Sequence, residues 1–156
     1  MRKHYFLGLA ANYSRKRCLA HTFAIGREKD RGALQRFLTQ KYGGETILTK
    51  NGRSALALAL KVYFEPGDAV IVNGFTCYAV YEAVKAAGLT PVWADISQED
   101  LNFNTKTLEK VASEDVKGII VQNSLGNPAD IVAVEKFAKK YNLVIIEDLA
   151  HCAGIK

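Results

Sequence analysis

The sequence predicts an α/β protein of three layers, a mainly parallel sheet with helices on both faces. Three observations predict it. From about residue 46 onward, short apolar runs alternate with amphipathic stretches of helical period. The runs at 69–72, 118–121 and 143–146 are apolar at successive positions, as strands buried on both faces are. The segments between them are short and rich in Gly, Asn, Asp and Pro, which suits strand–helix connections with right-handed crossovers.

Each element has a local reason. Residues 30–42 carry Leu34, Phe37, Leu38 and Tyr42 on one helical face. Thr46-Ile47-Leu48-Thr49 reads as a short first strand. Asn51-Gly52-Arg53-Ser54 is a turn in which Asn51 or Ser54 can cap the following helix, 55–64, which Glu65-Pro66-Gly67-Asp68 stops. Ala69-Val70-Ile71-Val72 is a buried strand. Asn73-Gly74-Phe75-Thr76 leads from it into a helix over 77–87, closed by Gly88. A strand over 91–96 follows, then a short helix capped by Asn104. A strand over 118–121, a helix over 130–141 and a last strand over 143–146 complete five strand–helix alternations.

Charge and cysteines bound the function. The 156 residues carry a net charge of +5, but residues 1–50 hold 11 Lys/Arg against 3 Asp/Glu, and the remainder 10 against 13. The excess therefore belongs to a basic leader, residues 1–25, expected to be solvated and without regular order; residues 26–156 form the ordered part. No nucleic-acid-binding signature accompanies the basic residues, and no apolar run approaches the ~20 residues that span a bilayer. Cys18, Cys77 and Cys152 show no CxxC spacing, which fits reduced thiols and a cytoplasmic setting. There is no GxGxxG after a strand, no P-loop, and too few histidines for a bare metal site.

Ligands of open parallel sheets bind beyond the carboxyl ends of the strands, so the residues there are the candidates. After the first strand stands Asn51-Gly52-Arg53-Ser54, a helix-opening turn whose N–H groups suit an anion. After the second come Thr76, Cys77 and Tyr78, and after the fourth the polar loop from Gln122 to Pro128, including Asn123. After the last come Glu147 and Asp148, then His151. Two carboxylates behind Leu-Val-Ile-Ile are costly to bury unpaired. One of them should meet a metal, a basic side chain or a protonated ligand ring.

Four segments, in order, resemble the N-terminal half of the DegT/DnrJ/EryC1/StrS family of aminotransferases. Asn51-Gly52-Arg53-Ser54-Ala55-Leu56 is similar to its Ser-Gly-Thr-x-Ala-Leu turn, and Pro66-Gly67-Asp68-x-Val70-Ile71-Val72 to its PGDEVIV. Ala87-Gly88-x-x-Pro91-Val92-x-x-Asp95-Ile96 is similar to AGATPVFVDI. Ile146-Glu147-Asp148-x-Ala150-His151-x-x-Gly154 is similar to IEDAAQAxG. The resemblance implies the large domain of a fold-type I enzyme dependent on pyridoxal 5'-phosphate (PLP). It implies a homodimer that moves an amino group from an amino-acid donor to a nucleotide-linked keto sugar, in nucleotide-sugar or polysaccharide biosynthesis.

The resemblance also implies roles. Asp148 would pair with the pyridinium N–H of PLP, and His151, where many relatives have Gln, would bond the ring's phenolic oxygen. Gly52, Arg53 and Ser54 would hold the phosphate, and Asn123 would line the ring edge. Glu147 would face solvent or a backbone donor. Arg53 replaces a family Thr, so its guanidinium either pairs with the phosphate or turns outward. The ring-stacking aromatic falls at Cys77 or, one step on, at Tyr78, which a helix points about 100° away. The family's Schiff-base lysine lies downstream of the Asp motif, and none of Lys50, Lys61, Lys117, Lys139 or Lys140 matches its context. The chain is therefore expected to be a fragment of a longer enzyme, inactive alone. Two other readings are a non-catalytic remnant that binds a partner or a phosphate ligand, and a dehydratase or lyase of the same fold.

Overall fold

The computed structural model describes residues 15–22, 28–98 and 101–152. The chain divides into two compact units, residues 1–48 and 49–156. The first contains α1 (Arg15–Thr22), a helix inside the leader where no regular order was expected, and α2 (Glu28–Tyr42). The rest of the leader lies outside the described residues. The second unit contains α3 (Gly52–Tyr63), β1 (Ala69–Asn73), α4 (Tyr78–Ala86), β2 (Thr90–Ala94), α5 (Thr105–Glu109), β3 (Val116–Gln122), α6 (Ile131–Tyr141) and β4 (Val144–Asp148). A single 3-10 turn, Ser124–Gly126, follows β3.

Capping explains where the helices begin. The Asn51 side chain accepts from the Ser54 N–H at 2.9 Å and opens α3. Asn104 and Thr107 exchange bonds as a capping box for α5, and the Asp130 carboxylate accepts from the Ala133 N–H at 3.0 Å at the head of α6. The ends are as local. Gly88 turns left-handed (φ +81°) just past α4, and Asn142 does so (φ 53°) past α6.

The four strands form one parallel sheet in the order β2-β1-β3-β4. Alternate residues serve opposite faces. Val70, Val72 and Ile120 pack with Leu60 and Phe64 of the α3 region and Val80 and Val84 of α4. Ile71, Ile119 and Val121 pack with Leu108 of α5 and Val134 and Phe137 of α6. The chain steps outward from β1 to β2 through α4 on one face, and from β3 to β4 through α6 on the other. One crossover hand throughout requires that exchange of faces. The order reverses between β1 and β3, which opens a crevice at the strand tips.

One expected strand is absent. Residues 45–49 adopt no regular structure, and Ile47 is 69% exposed. An extended segment becomes a strand only by bonding to a neighbouring strand. Thr46 instead binds α2, its carbonyl accepting from Gln35 Nε2 at 2.6 Å and its hydroxyl from Thr39 at 2.9 Å. The sheet therefore has four strands among the described residues, not five.

Gly118 lies inside β3 because the Phe64 ring lies against it: a Cβ there would stand 2.2 Å from Phe64 Cζ and 3.1 Å from the Val144 carbonyl oxygen. Gly118→Ala is expected to cost about 1–3 kcal/mol through overpacking, read as a lower midpoint in urea unfolding. An unchanged midpoint would show that the ring moves aside freely.

Candidate functional site

The tips of β3 and β4 and the first turns of α3 and α4 enclose a cavity of about 530 Å³. Gly52, Arg53, Leu56 and Ala59 of α3 line one side, with Cys77 and Val80 at the head of α4. Gln122, Asn123, Ile146, Glu147, Asp148 and His151 line the rest. The parallel sheet dictates this convergence: strand tips and helix N-termini meet at the same edge.

Both carboxylates at the end of β4 are satisfied. Glu147 is exposed, and its carboxylate accepts from Asn123 Nδ2 at 3.1 Å. Its exposure is the solvent-facing alternative that the resemblance implied, and the donor it also meets is a side-chain amide. Asp148 is half-buried. One of its oxygens accepts from the Ala150 N–H at 3.0 Å and the other from Gln122 Nε2 at 3.2 Å. A carboxylate has about four lone-pair sites, so capacity remains for a donor in the cavity.

Asn123 is buried and spends its side chain on protein. Besides Glu147, it accepts the Ala129 N–H on Oδ1 at 2.9 Å, and its carbonyl accepts the Cys152 thiol at 3.3 Å. It shapes the loop that borders the cavity. His151 Nδ1 accepts from the Leu125 N–H at 3.3 Å. The neutral ring then carries its proton on Nε2, as a donor.

The structure places three of the candidates. The Ser54 N–H belongs to the Asn51 cap, and Ser54 does not line the cavity. Among the first-turn groups of α3, the N–H groups of Gly52 and Arg53 remain for an anion, with the helix dipole behind them. The Arg53 guanidinium turns outward and pairs with Glu82 of α4, so it takes the second of its two options. Tyr78 lies outside the cavity. It is 69% exposed and its ring lies tilted against that of Tyr81, with centroids 5.4 Å apart, while Cys77, one residue earlier, lines the cavity. Cys77 is the extended N-cap and Tyr78 the first helical residue, so the two side chains diverge at the start of α4.

Gln122 was missed as a site residue. It ends β3 as Asp148 ends β4, and the two are directly opposed in the parallel register. The signal was present in the sequence: a polar residue after Gly-Ile-Ile-Val, at the same strand-end position as the carboxylate.

The arrangement fits a flat cationic heteroaromatic ring bearing a phosphate. It offers a carboxylate for the ring's N–H, helix N–H groups for the phosphate, and apolar walls of Leu56, Ala59, Val80 and Ile146. It offers no Phe, Tyr or Trp ring among its lining residues.

Comparison with known proteins points the same way. The model of the DegT/DnrJ/EryC1/StrS aminotransferase family matches residues 25–156. The chain is 35% identical over 119 residues to the UDP-2-acetamido-2-deoxy-3-oxo-D-glucuronate aminotransferase of Pseudomonas aeruginosa, covering 76% of this chain and 32% of that protein. Among solved structures it is similar to the aminotransferase from Psychrobacter cryohalolentis, with 26% identity and a TM-score of 0.75 over 92% of this chain and 38% of that one. It is also similar to ntda from Bacillus subtilis, solved with bound cofactor PMP, with 25% identity and a TM-score of 0.73 over 90% and 32%. The chain spans about a third of the length of the curated relatives it matches.

The two thiols near the cavity differ in chemistry. Burial, followed by the nearby Glu147 and Asp148 charges, pushes the Cys152 thiol up from its ordinary range, whereas Cys77 is exposed. A raised pKa leaves less thiolate at neutral pH. Iodoacetamide at pH 7.5 is expected to label Cys77 well before Cys152, as peptide mass spectrometry would read. Equal rates would contradict the burial of Cys152.

Proposed function

The chain belongs to the DegT/DnrJ/EryC1/StrS aminotransferase family, and from that premise we propose that residues 26–156 are the N-terminal part of the PLP-binding large domain of an aminotransferase. Its substrate class is a nucleotide-linked keto sugar. The observation that carries this reading is Asp148: a carboxylate at a strand tip, held by two donors, lining a cavity that also takes in a helix N-terminus.

When bound, PLP supplies an electron sink for a carbanion at the amino-bearing carbon. The chain's own residues do the rest. Asp148 holds a proton on the ring nitrogen, because an ionised carboxylate favours the cationic neighbour. The N–H groups of Gly52 and Arg53 take the phosphate. His151 Nε2–H donates to the phenolic oxygen. Asn123 braces the loop beside the ring rather than spending its amide on it. Leu56, Ala59, Val80 and Ile146 keep water from the ring face and strengthen each polar contact.

No lysine lines the cavity among the described residues. We therefore place the amine nucleophile outside them, so that the described residues bind cofactor without themselves supplying the amine. The amino-acid donor, the homodimer and the cytoplasmic setting belong to the same proposal. Among the described residues no helix is long and apolar enough to cross a membrane. The name of the Pseudomonas relative, an aminotransferase of a UDP-linked keto sugar, supports the substrate class.

Pyridoxamine 5'-phosphate (PMP) tests the reading, since its binding requires no lysine. Isothermal titration is expected to show saturable binding that Asp148→Ala weakens about tenfold or more, the loss of a charge-assisted bond. Undiminished affinity in that variant would remove Asp148 from the site. Bound PMP should also slow alkylation of Cys77.

A further inference from the structure

A row of side chains crosses the strand tips behind Asp148. Thr76, in the connection after β1, donates its hydroxyl to Gln122 Oε1 at the end of β3. Gln122 donates Nε2–H to Asp148 Oδ2 at the end of β4, at 3.2 Å. The strands β1, β3 and β4 are neighbours in that order, so the row follows the sheet. All three residues are half-buried.

The polarity of this row follows from chemistry. An ionised carboxylate only accepts, so the Gln122 amide must turn its NH₂ toward Asp148. Its carbonyl then faces Thr76, whose hydroxyl must donate. Each group thus has one orientation, and both donors point along the row toward the carboxylate. A hydrogen bond to a charged acceptor is about twice as strong as a neutral one, and an amide fixed at its other end loses little entropy in making it. The opposite oxygen of Asp148 is pinned by the Ala150 N–H. The carboxylate is thereby held at both oxygens, and its plane is fixed.

We propose that Thr76 and Gln122 are positioning residues for Asp148: they fix the plane and the acceptor character of the carboxylate so that its remaining lone pairs meet the ring N–H of the cofactor. This inference rests on the reading of Asp148 given under Proposed function. It assigns neither residue a contact with substrate.

The test uses PMP carrying ¹⁵N in its ring, with affinity from calorimetry and ring-nitrogen protonation from the ¹⁵N chemical shift. Gln122→Leu keeps the size and removes the donor. Thr76→Val keeps the shape and removes the hydroxyl, and Thr76→Ser restores it. Gln122→Leu is expected to bind PMP about tenfold more weakly, with the ring-nitrogen signal moved toward the unprotonated position. Thr76→Val should move the signal in the same direction, and Thr76→Ser should return it to the unsubstituted value. Circular dichroism of each variant separates misfolding from loss of the row. A protonated-ring signal and full affinity in folded Gln122→Leu and Thr76→Val, with Asp148→Ala still weakened, would overturn the positioning role and leave the cofactor site standing. Full affinity in Asp148→Ala as well would overturn both.

Discussion

An acidic side chain at the end of an apolar, half-buried strand needs partners, and the tips of β3 and β4 supply them. Ile145 and Ile146 carry β4 between two helical layers, and the chain then delivers a charge to the strand tip. Without partners, even a half-buried carboxylate would lose part of its hydration uncompensated. Here an amide and a backbone N–H meet it from the protein side. Because the neighbouring strand is parallel and in register, Gln122 falls opposite Asp148 without further adjustment. The topology places the partner, and the partner holds the charge.

The same economy governs the loop after β3. Leu125 adopts a left-handed conformation (φ 54°), and polar side chains rather than backbone ladders hold the segment. Asn123 bonds to Glu147 and the Ala129 N–H, and its carbonyl takes the Cys152 thiol. The loops after β3 and β4 are thereby joined on several sides, with His151 accepting from the Leu125 N–H as a further tie. Rigid loops on a rigid sheet are how such a site keeps its shape without a ligand to organise it.

What was legible in the sequence was whatever depends on local pattern. The apolar runs of β1, β3 and β4, the Asn104 cap and the stop at Gly88 all follow from neighbouring residues. Asp148 and Asn123 were legible because they sit at strand ends, where a parallel sheet exposes its chemistry. The segment 46–49 was not, because its β-branched and apolar residues make a strand only if another strand lies beside them. The destinations of Arg53 and Ser54 were not legible either. Glu82, which takes the guanidinium, lies 29 residues away, and the Ser54 N–H was claimed by whichever of two candidate caps won. Gln122 is instructive in a different way. Its position was visible, but its importance depends on the register with β4, which no stretch of sequence prints.

The contact between Phe64 and Gly118 has a mechanical side. It anchors the C-terminal end of α3 on β3, while the N-terminal end of the same helix lines the cavity. The helix is 12 residues long, or about 18 Å at 1.5 Å per residue. It behaves as a lever with its fulcrum at the aromatic ring. A tilt of about 3° there displaces Gly52 by about 1 Å, the scale on which misplaced groups lose most of their catalytic value. The tolerance of the cavity-facing turn is therefore set at the far end of the helix, by the missing side chain of one glycine.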